Sequence, residues 1–251
     1  MEGVYKLKIG FLVGNDREKC LYRCLGAGIK VEFVIANQLH NSRLDSWKRA
    51  CELLDIPLFI IETNQLESII NELAPHVIIS IGYPKLIDRS ILSLVHTALN
   101  VHPTLLPKYK GAHSGWYILA NGEKESGVTI HELDETLDGG DIVMQEKFEI
   151  APFDNILCLY KKSRELESRM LVKVLQKIIK GEQLVKRKQD KIDETIYKKL
   201  RTPEDSEVDP KHSLMELINP IRACHPELYP AFFKYKGKKV FVKLWIENEY
   251  N

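Results

Sequence analysis

The chain has 251 residues, enough for one large domain with a smaller appendage, and 44% of them are apolar, enough to bury a core. Its 36 basic and 35 acidic residues leave a net charge of +1, which excludes the global field expected of a protein that grips nucleic acid or an anionic membrane. No apolar run is long enough to span a bilayer, and the amino-terminal MEGVYKLKIGFLVG carries too short an apolar stretch for a signal peptide, so a cytoplasmic protein is expected.

KLKIGFLVG (6–14) reads as a buried strand ending in Gly14, followed by a helix-length stretch to Gly26 and Gly28. IKVEFVIAN (29–37) reads as a second strand. RLDSWKRACELL (43–54) places Leu44, Trp47, Cys51 and Leu54 at helical spacing, and LFII (58–61) follows as a third strand. LESIINELAP (66–75) is an amphipathic helix stopped by Pro75, and HVIISIG (76–82) is a fourth strand. Strands separated by helices of this length imply an α/β fold: a Rossmann-like, mostly parallel sheet with helices on both faces. Ligands of such sheets bind outside the carboxyl ends of the strands, here Gly14-Asn15, Asn37, Gly82-Tyr83 and the segment from Asn100.

Residues 126–150 break the alternation. GVTIHEL reads as a strand, DETLDGG as a turn-rich loop and DIVMQEKFEI as a returning strand. A long helix is predicted over 155–180, stopped by Gly181, and closes a catalytic domain assigned to 1–182. Residues 183–251 form a short α+β appendage: a charged stretch to 212, a helix from Leu214 to Ala223, and a β-hairpin turning at Lys236-Gly237-Lys238. The apolar run VFVKLW (240–245) suggests a homodimer surface. The five cysteines (Cys20, Cys24, Cys51, Cys158, Cys224) include one pair a helical turn apart but no second pair to complete a zinc site. They read as reduced thiols, and no metal is expected.

The stretch NVHPTLLPKYKGAH (100–113) carries the chemistry. Asn100 and His102 leave the same face of an extended segment, and Pro103 biases His102 towards that conformation. Asp138 follows in a turn loosened by Gly139 and Gly140. Acyl transfer to an amine needs an oxyanion donor, a base for the amine proton and a carboxylate to orient or charge the imidazole. Asn, His and Asp can take those roles in that order. Taken singly, a histidine beside a proline and an Asp-Gly turn each have an ordinary structural reading, and spacing alone leaves both readings open.

SIGYPKLI (80–87), NVHPTLLPKYKGAH (100–113), NGEKESGVTIHELDETLDGGDIV (121–143) and, more loosely, IRACHPELYPAFF (221–233) resemble the formyltransferases that take their formyl group from N10-formyltetrahydrofolate. The resemblance implies that Asn100, His102 and Asp138 are catalytic. It also implies that the folate is held by backbone near Tyr83, Pro84, Lys85, Leu86 and Ile87 and near Leu133, Asp134, Glu135 and Leu137. Within the family, GNDREKC (14–20) lacks the glycine-rich phosphate loop of the members acting on glycinamide ribonucleotide. The tail is shorter than the barrel of the members acting on methionyl-tRNA, and the deformylating members carry an extra amino-terminal domain. The chain therefore looks most like the sugar N-formyltransferases, which act on dTDP- or GDP-linked amino sugars and commonly feed surface-polysaccharide assembly. Gly14, Asn15, Lys108, Tyr109, Lys110, Arg222, Phe232 and Phe233 are its candidate substrate contacts: cations for a diphosphate and aromatic faces for a base. The alternatives are formylation of a purine precursor or a hydroxyornithine-type amine, or a catalytically silent folate- or nucleotide-binding module.

Overall fold

The computed structural model describes residues 7–39, 44–197 and 200–245. Lys6 and Arg43, at the expected starts of the first strand and the second helix, lie outside these residues. The first half alternates as its sequence periodicity requires: β1 (Ile9–Val13), α1 (Lys19–Gly26), β2 (Phe33–Asn37), α2 (Asp45–Leu53), β3 (Leu58–Ile61), α3 (Leu66–Leu73), β4 (Val77–Ile81), a short α4 (Arg89–Leu92) and β5 (Thr97–His102). Side chains of β1, β2 and β4 alternate between two buried clusters. Ile9, Phe11, Val13, Val34, Ala36, Val77 and Ile79 face one, with Leu21, Trp47 and Cys51 from α1 and α2. Leu12, Phe33, Ile35 and Ile78 face the other, with Leu66 and Ile70 from α3. A two-residue side-chain period thus builds a sheet covered by helices on both faces.

After a two-residue β6 (Lys110–Gly111) and α5 (Ser114–Ala120), the chain forms the antiparallel pair β7 (Glu125–Glu132) and β8 (Ile142–Glu149). These join the sheet in the order β3-β2-β1-β4-β5-β7-β8, all parallel through β5. The strand order reverses between β1 and β4, so the crevice beyond their carboxyl ends is where a ligand is expected. There the chain is close-packed: a Cβ on Gly14 would sit 2.2 Å from the Gly82 carbonyl oxygen. The long α6 (Ile156–Ile179) starts on the Asn155 side chain, which accepts from the Leu157 and Cys158 N–H groups, and lays Leu166, Met170 and Val174 on the sheet.

Beyond α6 the chain does not leave the sheet at once. Arg187 bridges to Ile142, and β9 (Ile196–Tyr197) pairs in parallel with β6. Then come α7 (Leu214–Ala223), opened by a Ser213–Glu216 capping box, and the hairpin β10 (Ala231–Tyr235) and β11 (Lys238–Val242). Lys236 and Gly237 both have positive φ (48° and 78°), the requirement of the tight two-residue turn expected at that place. Phe241, Leu244 and Trp245 of the apolar run are exposed. No described helix is long and apolar enough to cross a membrane.

Candidate active site

Asn100 and His102 lie at the end of β5, both buried and on the same face of the strand, as their spacing requires. Antiparallel pairing of β5 with β7 sets His131 opposite Asn100. Asp138 comes from the β7–β8 loop, at φ 49° in the left-handed region, with glycines after it. Gly140 is required there, because a Cβ would lie 2.0 Å from the Glu132 carbonyl oxygen.

The four side chains converge. Asn100 Nδ2 donates to Asp138 Oδ1 at 3.2 Å and lies 3.1 Å from His131 Nε2. His131 Nδ1 is 2.7 Å from the Glu132 carbonyl oxygen, which fixes its proton there and leaves Nε2 to accept from Asn100. His102 Nε2 is 3.0 Å from the Tyr109 carbonyl oxygen, so that nitrogen donates and the Nδ1 lone pair faces Asp138 Oδ1 at 3.5 Å. Asp138 Oδ2 accepts from the Gly111 N–H at 2.8 Å.

Burial pulls His102 below its ordinary value, against the Asp138 carboxylate, which pulls it up. Burial pushes Asp138 up, but His102, His131 and the Gly111 N–H together hold its carboxyl well below the usual carboxylate range. At neutral pH the pair is therefore a neutral imidazole with its free lone pair beside an ionised carboxylate. A proton taken by Nδ1 meets a counter-charge already in place. Both Nδ2 hydrogens of Asn100 are engaged at rest, so oxyanion support requires one of them to turn from His131 or Asp138.

The two segments expected to hold a folate are brought side by side: Ile87, Tyr83 and Leu133 pack in one apolar cluster. Ile87 is buried, so it can offer only backbone, whereas Lys85, Leu86 and Glu135 are exposed. Thr136 donates to the Asp134 carboxylate through its N–H and hydroxyl, and Leu137 reaches over Gly111. Pro84 stands beside Gly14, and the Asn15 carbonyl accepts from the Trp47 indole N–H at 2.6 Å.

The remaining substrate candidates, Lys108 apart, are otherwise engaged. Lys110 is buried and ion-paired with Glu194 at 2.5 Å. The Tyr109 ring stacks on Tyr197 and its hydroxyl donates to Glu123. Lys108 is exposed at the rim of a cavity of about 240 Å³ behind the loop, lined by Leu105, Pro107 and Ser126 among others. Arg222 donates to Asn219 and to the carbonyl oxygens of Ala151, Pro152 and Asp154, tying down the turn before α6. Phe232 is 1% exposed inside the hairpin, and Phe233 packs on the α7 cluster. In this structure Arg222 serves the turn before α6, Phe232 fills the hairpin's buried face and Phe233 packs on α7.

Four residues outside the sequence reading, His131, Arg17, Arg164 and Arg201, stand at or beside the site. His131 lay in the GVTIHEL motif, and only strand pairing shows that it faces Asn100. Arg17 lies 3.5 Å from both the Val101 carbonyl oxygen and the buried Glu167 carboxylate. Arg164 and Arg201 join Arg17 around Tyr160, whose hydroxyl is pushed up by burial against their charges, and Arg201 stacks 4.0 Å over Trp116. No spacing rule could have gathered cations from a loop, a helix and the tail.

An amide, an imidazole and a carboxylate at the carboxyl edge of a doubly wound sheet are the groups that acyl transfer to an amine would use. Residues 61–175 match the formyl transferase family model, so this stretch is a formyl transferase domain. It is 38% identical over 159 residues to the methionyl-tRNA formyltransferase of Kosmotoga olearia, covering 63% of this chain and 50% of that one. The chain spans about half the length of the curated relatives it matches. The fold is shared with a 4-N formyltransferase from Francisella tularensis (TM-score 0.79, 23% identity, 96% of this chain and 99% of that one). It is also shared with an N-formyltransferase from Helicobacter canadensis in complex with folinic acid and dTDP-3-aminofucose (TM-score 0.73, 23% identity, 93% and 86% covered).

Proposed function

We propose that this chain transfers a formyl group from N10-formyltetrahydrofolate to the amino group of a nucleotide-linked amino sugar. The observation that carries it is the buried Asn100 and His102 beside the partly buried Asp138, with the His102 Nδ1 lone pair unspent. The donor, when bound, supplies an activated formyl carbon. Backbone at 83–87 and 133–137 would hold its flat, donor- and acceptor-rich ring, since those two segments already pack against each other. His102 Nδ1 takes the proton of the attacking amine, Asp138 stabilises the imidazolium so formed, and Asn100 donates to the oxygen on which charge develops; the proton then passes to N10 as its bond to the formyl carbon breaks and tetrahydrofolate leaves.

The sugar assignment is supported by a fold shared over 96% of this chain with the Francisella 4-N formyltransferase and over 93% with the Helicobacter protein in complex with dTDP-3-aminofucose. The Arg17, Arg164 and Arg201 group around Tyr160 offers cations and an aromatic ring to a diphosphate and its nucleoside. A second reading, methionyl-tRNA as acceptor, is favoured by sequence similarity to the Kosmotoga enzyme. All five cysteines are unpaired, which suits a cytoplasmic enzyme. A homodimer through the exposed Phe241 to Trp245 strip is checked by sedimentation velocity.

The test is a mass-spectrometric acceptor screen with N10-formyltetrahydrofolate and dTDP- and GDP-linked amino sugars, glycinamide ribonucleotide and methionyl-tRNA. A formyl mass gain on a nucleotide sugar supports the reading and names the acceptor. Gain on methionyl-tRNA alone replaces it with the second reading, and gain on none leaves a binding module.

A further inference from the structure

Gln189 belongs to none of the motifs, yet its side chain crosses to the catalytic turn. Its Nε2 donates to the carbonyl oxygens of Asp138 and Gly140, at 2.8 Å each. Both hydrogens of one amide are thus spent on two carbonyls of the same turn. Its Oε1 is buried and takes no hydrogen bond among the described residues. Packing alone does not call for a polar oxygen without a partner, so the group is there for its donors.

The turn has reason to need an anchor. Asp138 holds a left-handed backbone that a non-glycine residue adopts at a cost. Gly139 and Gly140 bring no side chain to hold it. The register of Gln189 is set by antiparallel exchange between Arg187 and Ile142, at 2.9 and 2.7 Å. The same stretch then reaches the opposite loop. Thr195 Oγ1 accepts from the Tyr109 N–H at 2.7 Å, the Thr195 carbonyl from the Lys110 N–H at 2.9 Å, and the Tyr197 carbonyl from the Ala112 N–H at 3.0 Å. One segment therefore touches both the loop that fixes His102 and the turn that presents Asp138.

We propose that Gln189 is a positioning residue for Asp138, and that the segment 187–197 sets the separation of the two catalytic loops. The proposal rests on the formyl-transfer reading for its kinetic arm alone. Two variants of the full chain test it. Gln189→Met keeps length and bulk without donors, and Gln189→Glu keeps the shape but presents a carboxylate that cannot donate.

In both, kcat for formyl transfer is expected to fall by about 10²-fold with KM for donor and acceptor unchanged, as for a reacting group displaced by about 1 Å. The second readout needs no turnover: the His102 ring titration followed by NMR, assigned with His102→Gln. In the Met variant its midpoint is expected to move to lower pH as the carboxylate beside Nδ1 is displaced. A Met variant with wild-type kcat and midpoint overturns the proposal. So does a lowered melting temperature with both unchanged, which is a structural role only. A fall in kcat without a midpoint shift overturns it too, because Gln189 then acts elsewhere. If the wild type itself formylates nothing, the formyl-transfer reading fails and the midpoint alone decides the role of Gln189.

Discussion

At the scale of single residues, the site is a competition between burial and charge. His102 is buried and pulled towards the neutral form, while Asp138 pulls it back. A base must be neutral to accept, so the acid limb of the kcat/KM profile is expected below the ordinary histidine value of about 6.5. Asp138→Asn removes the group that raises His102, so the limb is expected to move to still lower pH as kcat drops. A limb above the ordinary value would contradict the neutral imidazole. Replacing His102 by Asn removes the lone pair and keeps a polar group; transfer is expected to fall by about 10²–10⁴-fold. Folate affinity, measured by fluorescence titration, should be largely unchanged, and near-native turnover would remove His102 from its role. The same-face pairing of Asn100 and His102 was legible from their spacing. The contribution of His131 was not, because register between β5 and β7 is a property of two strands and not of either alone.

At the scale of elements, two contacts tie loops to the frame. Glu167 on α6 is 1% exposed, its pKa is raised by burial against the pull of Arg17, and Arg17 is itself 17% exposed. Arg17→Leu leaves a buried carboxylate without its cation, a loss of about 3 kcal/mol, at the low end for buried pairs because Arg17 keeps some solvent. A carboxyl with a raised pKa takes up a proton readily, so the deficit should shrink from pH 8 towards acid; urea unfolding at several pH values checks both size and sign. The second contact is β6 on β9. Gly111 has φ 92°, and a Cβ there would lie 2.3 Å from the Tyr197 carbonyl oxygen, the acceptor of the Ala112 N–H. Gly111→Ala is expected to cost about 1–3 kcal/mol and to expose the Ala112 amide to hydrogen exchange. Helix and strand identities in the first half followed from their periods. The docking of residues 187–197 did not, because that stretch is largely charged and is held by backbone bonds and by scattered side-chain contacts from Gln189, Glu194, Thr195 and Tyr197.

At the scale of the whole molecule, a net charge of +1 bears on the acceptor. A protein that neutralises 6–10 phosphates of a nucleic acid loses about 10³–10⁵ in affinity between 50 and 200 mM salt. A nucleotide sugar presents a single diphosphate, so acceptor KM is expected to change by less than about tenfold over that range. A steep slope would favour tRNA over the sugar. The boundary expected at 182 also belongs to this scale: the chain beyond it stitches the loop after His102 and the turn of Asp138 before it forms α7 and the hairpin.

The sequence by itself determined the α/β class, the two-sided sheet and the pairing of Asn100 with His102. Each of these follows from local periods and from a proline that restricts its neighbour. Tertiary structure alone decided which cations stand together, that His131 and Gln189 reach Asn100 and the Asp138 turn, and that Arg222 and Phe232 make scaffold contacts. Those contacts join residues tens of positions apart. Such pairs meet only once burial of the core has brought their elements to the same edge of the sheet, and no local preference encodes the meeting.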